Sequence, residues 1–254
     1  MDDRLILDQE LNELGWWSFW TKVSMLGGDS YLMTSHAFNE PLFNHAAIFA
    51  DGPFAEAQVE TALEKFGEAG VRPCFFIVDD PAYSGTRSLL ESDGFKVIDT
   101  MEVLKAGEPM QAERSRLSFV PANRDVASWV KAYVSSFYGS DAPVPEILSA
   151  AKNAAEDEDV FLVLAKSGTE VKGELALFRQ GGLLGAYCVG TVPGFRGTGV
   201  ATEMLAHARG LAATLGLSLT LQTFAGDGLV DFYLDRGFER AYTKMVLSRG
   251  PDTE

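Results

Sequence analysis

A chain of 254 residues, 46% hydrophobic and 22% charged, has the composition of a globular protein and the length of one large domain or two ordinary ones, which excludes a disordered or fibrous polymer. No stretch reaches the roughly 18 to 20 apolar residues of a membrane span, and the acidic start Met1-Asp2-Asp3-Arg4 lacks the basic region of a signal peptide, so the chain reads as cytoplasmic with no membrane partner. A formal charge of −15 argues against nucleic acid, whose phosphates need a basic surface.

The charge is uneven. Up to residue 110 there are 7 basic against 19 acidic residues, and beyond it 14 against 17, so the first part holds −12 and the second −3. Such a surface suits a cationic amine, although solubility alone also accounts for it. Cys74 and Cys188 both fall in apolar runs where a thiol acts as a small apolar side chain. His36 and His45 have no Cys or second His at ligand spacing, and no metal site is expected.

In chain order, the opening helix leads to an aromatic cluster, Trp16, Trp17, Phe19 and Trp20, which suits a core or a seam between halves better than a ligand. A short strand over 44–50 precedes a helix over 55–69 with Val59, Ala62, Leu63 and Phe66 on one face, then a buried strand over 71–78. A helix over 83–92 and a strand over 95–104 complete this part. The polar stretch 106–115, with Gly107 and Pro109, reads as a linker.

The second part starts with a strand over 116–121. A helix over 125–138 follows, with Val126, Trp129, Val130, Tyr133, Val134 and Phe137 at helical spacing, and a second helix over 146–155 comes after Pro143 and Pro145. Strands are expected over 160–165, 172–179 and 183–192, the first two joined by Ser167-Gly168-Thr169. The acidic run 156–159 reads as a solvated loop. A helix from Val200 carries Val200, Met204, Ala208, Leu211 and Leu215 on one stripe and ends at Gly216. Its Glu203 and His207 read as an exposed pair four residues apart. A strand over 217–224, a short helix over 229–236 stopped by Gly237, and a strand over 238–248 finish the chain.

Between the strand over 183–192 and the helix from Val200 lies Pro193-Gly194-Phe195-Arg196-Gly197-Thr198-Gly199-Val200-Ala201. A glycine turn feeding a helix aims several backbone N–H groups and the positive end of the helix dipole at one point, which makes an anion site. A nucleoside-triphosphate loop would need Lys and Ser/Thr after its last glycine, and a dinucleotide fingerprint would need Gly-x-Gly-x-x-Gly with a later acid. Neither pattern is present. What remains is Arg196-x-x-Gly199-x-Ala201 with Pro193 ahead of it, and further on Tyr233-x-x-x-Gly237-Phe238.

These two motifs resemble those of the GCN5-related N-acetyltransferase (GNAT) family, over roughly residues 116–248. The resemblance implies an α/β (α+β) fold with a mixed central sheet flanked by helices, and an acyl-CoA-dependent N-acyltransferase, with acetyl-CoA as cosubstrate and no metal. By that resemblance Arg196, Gly197, Thr198, Gly199, Val200 and Ala201 hold the coenzyme pyrophosphate. Val189, Gly190, Thr191 and Val192 pair with its pantetheine arm where their strand splays from its neighbour, and Tyr233 protonates the departing thiolate. Glu174, in the adjacent strand, is a candidate general base, with Asp141 and Asp227 as loop alternatives. The acceptor is a small-molecule amine of unspecified identity, and the oligomeric state is left open. A departure from the family pattern is Phe224-Ala225-Gly226-Asp227, where Asn is common.

Residues 1–110 repeat the later elements in the same order. Asp93-Gly94-Phe95, Thr100 and Val103-Leu104 match Arg236-Gly237-Phe238, Thr243 and Val246-Leu247 at a constant offset, which suggests a duplicated fold. The first copy has Asp51-Gly52-Pro53-Phe54-Ala55-Glu56 where the phosphate turn should be, with negative charge in place of positive potential. The expectation is therefore two tandem domains, a degenerate copy at 1–110 and a catalytic one at 111–254, each with its own sheet. A non-catalytic acyl-CoA sensor or interaction module on the same fold is the alternative.

Overall fold

The computed structural model describes residues 3–107, 115–139 and 142–250; Asp141 and most of the 106–115 linker lie outside them. Apolar spacing and glycine stops set the elements. The first part comprises α1 (Asp3–Trp17), β1 (Lys22–Gly27), β2 (Ser30–Thr34), β3 (His45–Ala47), α2 (Gly52–Ala69), β4 (Cys74–Val78), α3 (Ser84–Ser92) and β5 (Lys96–Ala106). The second comprises β6 (Ser118–Pro121), α4 (Val126–Phe137), α5 (Val144–Ala155), β7 (Val160–Ser167), β8 (Glu170–Gln180), β9 (Leu183–Thr191), α6 (Val200–Leu215), β10 (Ser218–Phe224), α7 (Val230–Leu234) and β11 (Phe238–Ser248). Gly216 closes α6 in the left-handed conformation, φ 69°, as a glycine C-cap should. The β1–β2 hairpin has no counterpart among the sequence expectations.

Two sheets were expected; the described residues form one. Its order is β1-β2-β3-β4-β11-β5-β10-β9-β8-β7-β6, antiparallel except for β3–β4 and β9–β10. The closing strand of each part lies among the strands of the other, with β11 between β4 and β5 and β5 between β11 and β10. Across the β5–β11 ladder Met101 faces Lys244, Thr100 faces Met245 and Glu102 faces Thr243. Met101 and Lys244 also stand at the constant offset seen in the sequence, and they face each other on this ladder. The exchange covers edges that each part would otherwise leave open.

Helices α1, α4 and α5 share a core with β7–β9 that includes Trp16, Trp129, Ile147 and Phe178. Helix α6 shares another with β8–β10 through Met204, Ala208, Leu177 and Leu219. In α6 the inward stripe turns to Ala212, and Leu215 is exposed. The Glu203–His207 pair does not form: Glu203 accepts from the amides of Arg116 and Leu117 at 2.8 and 3.1 Å, and His207 stacks on Phe119.

Helix α1 is unusual in burying polar side chains. Gln9, Glu10, Asn12 and Glu13 are all inside, on the same stripe as Ile6 and Trp16. Asn12 accepts from the Tyr187 hydroxyl at 2.7 Å, Gln9 from Thr220 at 2.6 Å, and Glu10 from Tyr31 and Tyr242 at 3.2 and 2.5 Å. Lys244, 1% exposed, donates to both Glu10 and Glu13. One helix thus bonds strands from β2 to β9. Trp16 stacks on Tyr187 and Trp17 meets Phe43 edge-on, so the aromatic cluster fills the seam between the parts.

Candidate functional site

Strand β9 pairs with both neighbours only at its start. Its ladder to β10 runs from Leu183–Ser218 to Ala186–Leu221 and ends there, while its ladder to β8 continues to Gly173–Thr191. Along the β8 side the register slips: Glu174 faces Gly190 and Ala176 faces Tyr187, so Cys188 and Val189 together oppose Leu175. This is a β-bulge, with Cys188 at φ 50°. The Leu175 carbonyl at the slip takes the Trp129 indole N–H at 3.0 Å. Bending turns β9 away from β10, whose other edge pairs with β5 from Thr220 to Phe224. From Cys188 onward the β10-facing edge of β9 has no strand partner.

The gap opens into a cavity of about 400 Å³. Cys188, Val189 and Tyr187 of β9, Leu221 to Phe224, Asp227, Leu229 and Tyr233 line one side, and Tyr133, Phe137 and Tyr138 another. Glu13, Trp17, Glu40, Leu42, Phe43 and Met101 complete it from the first part of the chain. Tyr233 is 7% exposed. Burial above all, then the negative charge of Asp227, pushes its phenol up to about 12, so it keeps its proton through the neutral range. Cys188 is likewise pushed well up by burial and is a poor nucleophile.

Beyond the cavity, β9 leads through the turn 193–199 into α6. Gly197 and Gly199 have φ 76° and 91°, conformations that an L side chain adopts only with strain. No side chain caps α6. The first amide to close back is that of Glu203, onto the Gly199 carbonyl at 3.1 Å, which leaves the Val200, Ala201 and Thr202 amides at the open end of the helix. The Arg196 side chain reaches back to the Ser136 carbonyl at 2.8 Å, tying this turn to the last turn of α4.

The structure therefore sets Tyr233 and Val189 in one cavity, with Gly190 to Val192 and Arg196 to Ala201 further along the same chain path. It does not bring Glu174 to that wall. Glu174 is fully buried behind Gly190, where its Oε2 accepts from the Ser136 hydroxyl at 3.1 Å and its Oε1 has no partner among the described residues. Burial lifts its carboxyl to about 8, against the lowering effect of the Ser136 bond. Asp227 is exposed at the rim. His45 lies buried against Phe76, centroids 3.8 Å apart, and no group of three or more His, Cys, Asp or Glu able to hold a metal occurs among the described residues. No described helix is long and apolar enough to cross a membrane.

Sequence reasoning missed Glu13, Glu40, Leu42, Phe43 and Met101 as cavity residues. A signal existed for Glu13: Ile6, Gln9, Glu10, Glu13, Trp16 and Trp17 recur at helical spacing, which places acids on an apolar stripe. Nothing local marks Glu40 or Met101, because only the strand exchange brings them here.

No model of a known family matches the sequence, and no curated protein matches it. Among solved structures, a GCN5-related N-acetyltransferase from Kribbella flavida superposes with a TM-score of 0.70 at 16% identity, covering 96% of each chain. One from Sphaerobacter thermophilus gives 0.63 at 16% identity over 88% of this chain and 82% of that one. An acetyltransferase of the GNAT family from Colwellia psychrerythraea gives 0.60 at 14% identity over 97% of both. The chain has the GNAT fold.

Proposed function

We propose that this protein is an acyl-CoA-dependent N-acyltransferase, with acetyl-CoA as donor and a primary amine as acceptor, and that its two parts are tandem GNAT-like copies of which only the second keeps a donor site. One observation carries the reading: a single chain path, β9 to α6, joins an unpaired strand edge, a cavity holding a protonated phenol, and an uncapped helix N-terminus. Each answers one part of an acyl thioester carried on a long, amide-containing arm with a pyrophosphate.

The residues fit such a group. The amides of Val200 to Thr202, the helix dipole and the positive-φ glycines suit a pyrophosphate, with Arg196 to Ala201 forming the cradle. The free edge of β9 from Val189 to Val192 suits an arm that pairs as a strand would. Bound there, the coenzyme supplies an activated acyl carbon.

The chain's own residues then do three things. An unpaired N–H of β9 near Val189 or Gly190 stabilises negative charge on the acyl oxygen, a contribution of about 3 to 4 kcal/mol where such donors have been removed elsewhere. The aromatic walls exclude water, so the amine is the nucleophile available. As the C–N bond forms and the C–S bond breaks, Tyr233 delivers a proton to the leaving sulfur, and the proton shed by the nitrogen replaces it. Glu174, the other candidate, is sealed behind Gly190, and the geometry supports Tyr233 ahead of it.

Tyr233→Phe tests the reading. Coenzyme A affinity by calorimetry stays within about two-fold of the parent, while turnover on an accepted amine falls by about 10²- to 10⁴-fold. Unchanged turnover removes Tyr233 from the chemistry. A parent protein that binds coenzyme A yet acylates no amine is a sensor, and one that binds no coenzyme A overturns the assignment.

A further inference from the structure

We propose that the acceptor is a cationic amine on an aromatic or apolar body without a carboxylate, and that Glu13, from the first part of the chain, receives its ammonium group and takes the proton whose loss frees the nitrogen lone pair for attack. This rests on reading the cavity as the acyl-transfer site.

The cavity has one charge sign. Glu13, Glu40 and Asp227 line it, and no Lys or Arg does among the described residues. Glu40 and Asp227 are exposed at the mouth, whereas Glu13 is fully buried. Exposed acids draw cations towards a cleft, and a buried acid fixes one. Much of the remaining wall is aromatic, including Trp17, Phe43, Tyr133, Phe137, Tyr187 and Tyr233. Aromatic faces accept both an aryl group and an ammonium.

Glu13 also has one carboxyl oxygen without a hydrogen-bond partner among the described residues. Glu10 is supplied by Tyr31, Tyr242 and Lys244. The Glu13 Oε2 takes Lys244, but its Oε1, buried, has no hydrogen-bond partner among the described residues. Lys244 divides its donors among Glu10, Glu13 and the Gln222 side chain at 3.1 Å. Two carboxyl groups share one ammonium, and burial raises the Glu10 carboxyl, which leaves the unpaired Glu13 oxygen as the open place in the group. A buried oxygen of this kind calls for a hydrogen-bond donor, and an ammonium in the cavity brings one. A substrate carrying its own carboxylate would bring a negative charge against the same three acids and be rejected.

Calorimetric titration of the full-length protein, with and without coenzyme A, tests this using 2-phenylethylamine, 2-phenylethanol and phenylalanine. The amine binds at least ten-fold tighter than the alcohol and the amino acid, and Glu13→Gln weakens the amine at least ten-fold while leaving coenzyme A affinity and the melting temperature near the parent's. Equal binding of amine and alcohol by the parent overturns the proposal without any variant, as does a folded Glu13→Gln protein that binds the amine normally. Amine binding that depends on Glu13 without acyl transfer keeps Glu13 as an ammonium site and overturns both the amine's role as acceptor and the function on which the cavity was read.

Discussion

Helices α6 and α2 start at matching places in the two parts of the chain, and they start differently. Each follows a strand that runs parallel to the next one in its part, and neither has a side-chain cap. Ahead of α6 stand Arg196 and two positive-φ glycines. Ahead of α2 stands Asp51, with Pro53 in the first turn where it removes an amide. Asp51 also accepts from Thr86 at 3.2 Å and sits where a side chain at Gly85 would go. The same strand–helix–strand path thus presents positive potential in one part and a carboxylate in the other. Topology makes a helix terminus available, and a few residues decide whether an anion can use it.

The largest effect should come from carrying the negative charge across. Gly199→Glu abolishes coenzyme A binding by calorimetry, because the side chain forces strain at φ 91° and places a carboxylate at the α6 terminus. The corresponding Gly52→Glu leaves coenzyme A affinity unchanged. Equal losses in both would make the two termini equivalent and end the distinction.

The β5–β11 ladder gives a second contrast, since Met101 and Lys244 face each other with different chemistry. Lys244→Met makes the pair alike but leaves Glu10 and Glu13 without their cation. We expect a loss of about 3 to 5 kcal/mol by urea denaturation at pH 8, and a loss under 1 kcal/mol would show that the carboxylates relax or take up protons freely.

A smaller effect concerns what each part buries between helix and sheet. Under α2 lies a neutral pair, Ser30 to Gln58 at 2.9 Å, and under α4 a carboxyl, Glu174 to Ser136. The Glu174 pKa is raised from 4.5 to about 8, so the folded chain holds that proton more tightly than the unfolded one. Its contribution is complete below about pH 4.5 and is lost as pH rises through about 8. Glu174→Gln lacks this slope and is more stable than the parent by about 2 to 5 kcal/mol at pH 8, with little difference at pH 4.5. A parent whose stability is flat across that range would place Glu174 in contact with water.

Much of the second part was legible from local signals. Gly216 stopping α6, the strand over 238–248 and the turn after Pro193 depend on neighbours within a few residues, where glycine conformation and apolar period act directly. The splay of β9 was legible only by resemblance, since its cause is a bulge whose partners, Leu175 and Trp129, are distant in sequence. The Glu203–His207 pair failed because helical spacing gives proximity but not partners: amides from 116 and 117 reached Glu203 first.

By itself the sequence determined most of the elements and the charge asymmetry between the two helix termini, because each is a matter of residue type at short range. The tertiary structure decided that the two parts close into one sheet with exchanged strands, and that Glu13 reaches the cavity of the second part. Strand order and the burial of α1 depend on long-range pairing that many local sequences would permit, and only the assembled chain shows which strands become neighbours and leaves a Glu13 oxygen unpaired among the described residues beside the cavity.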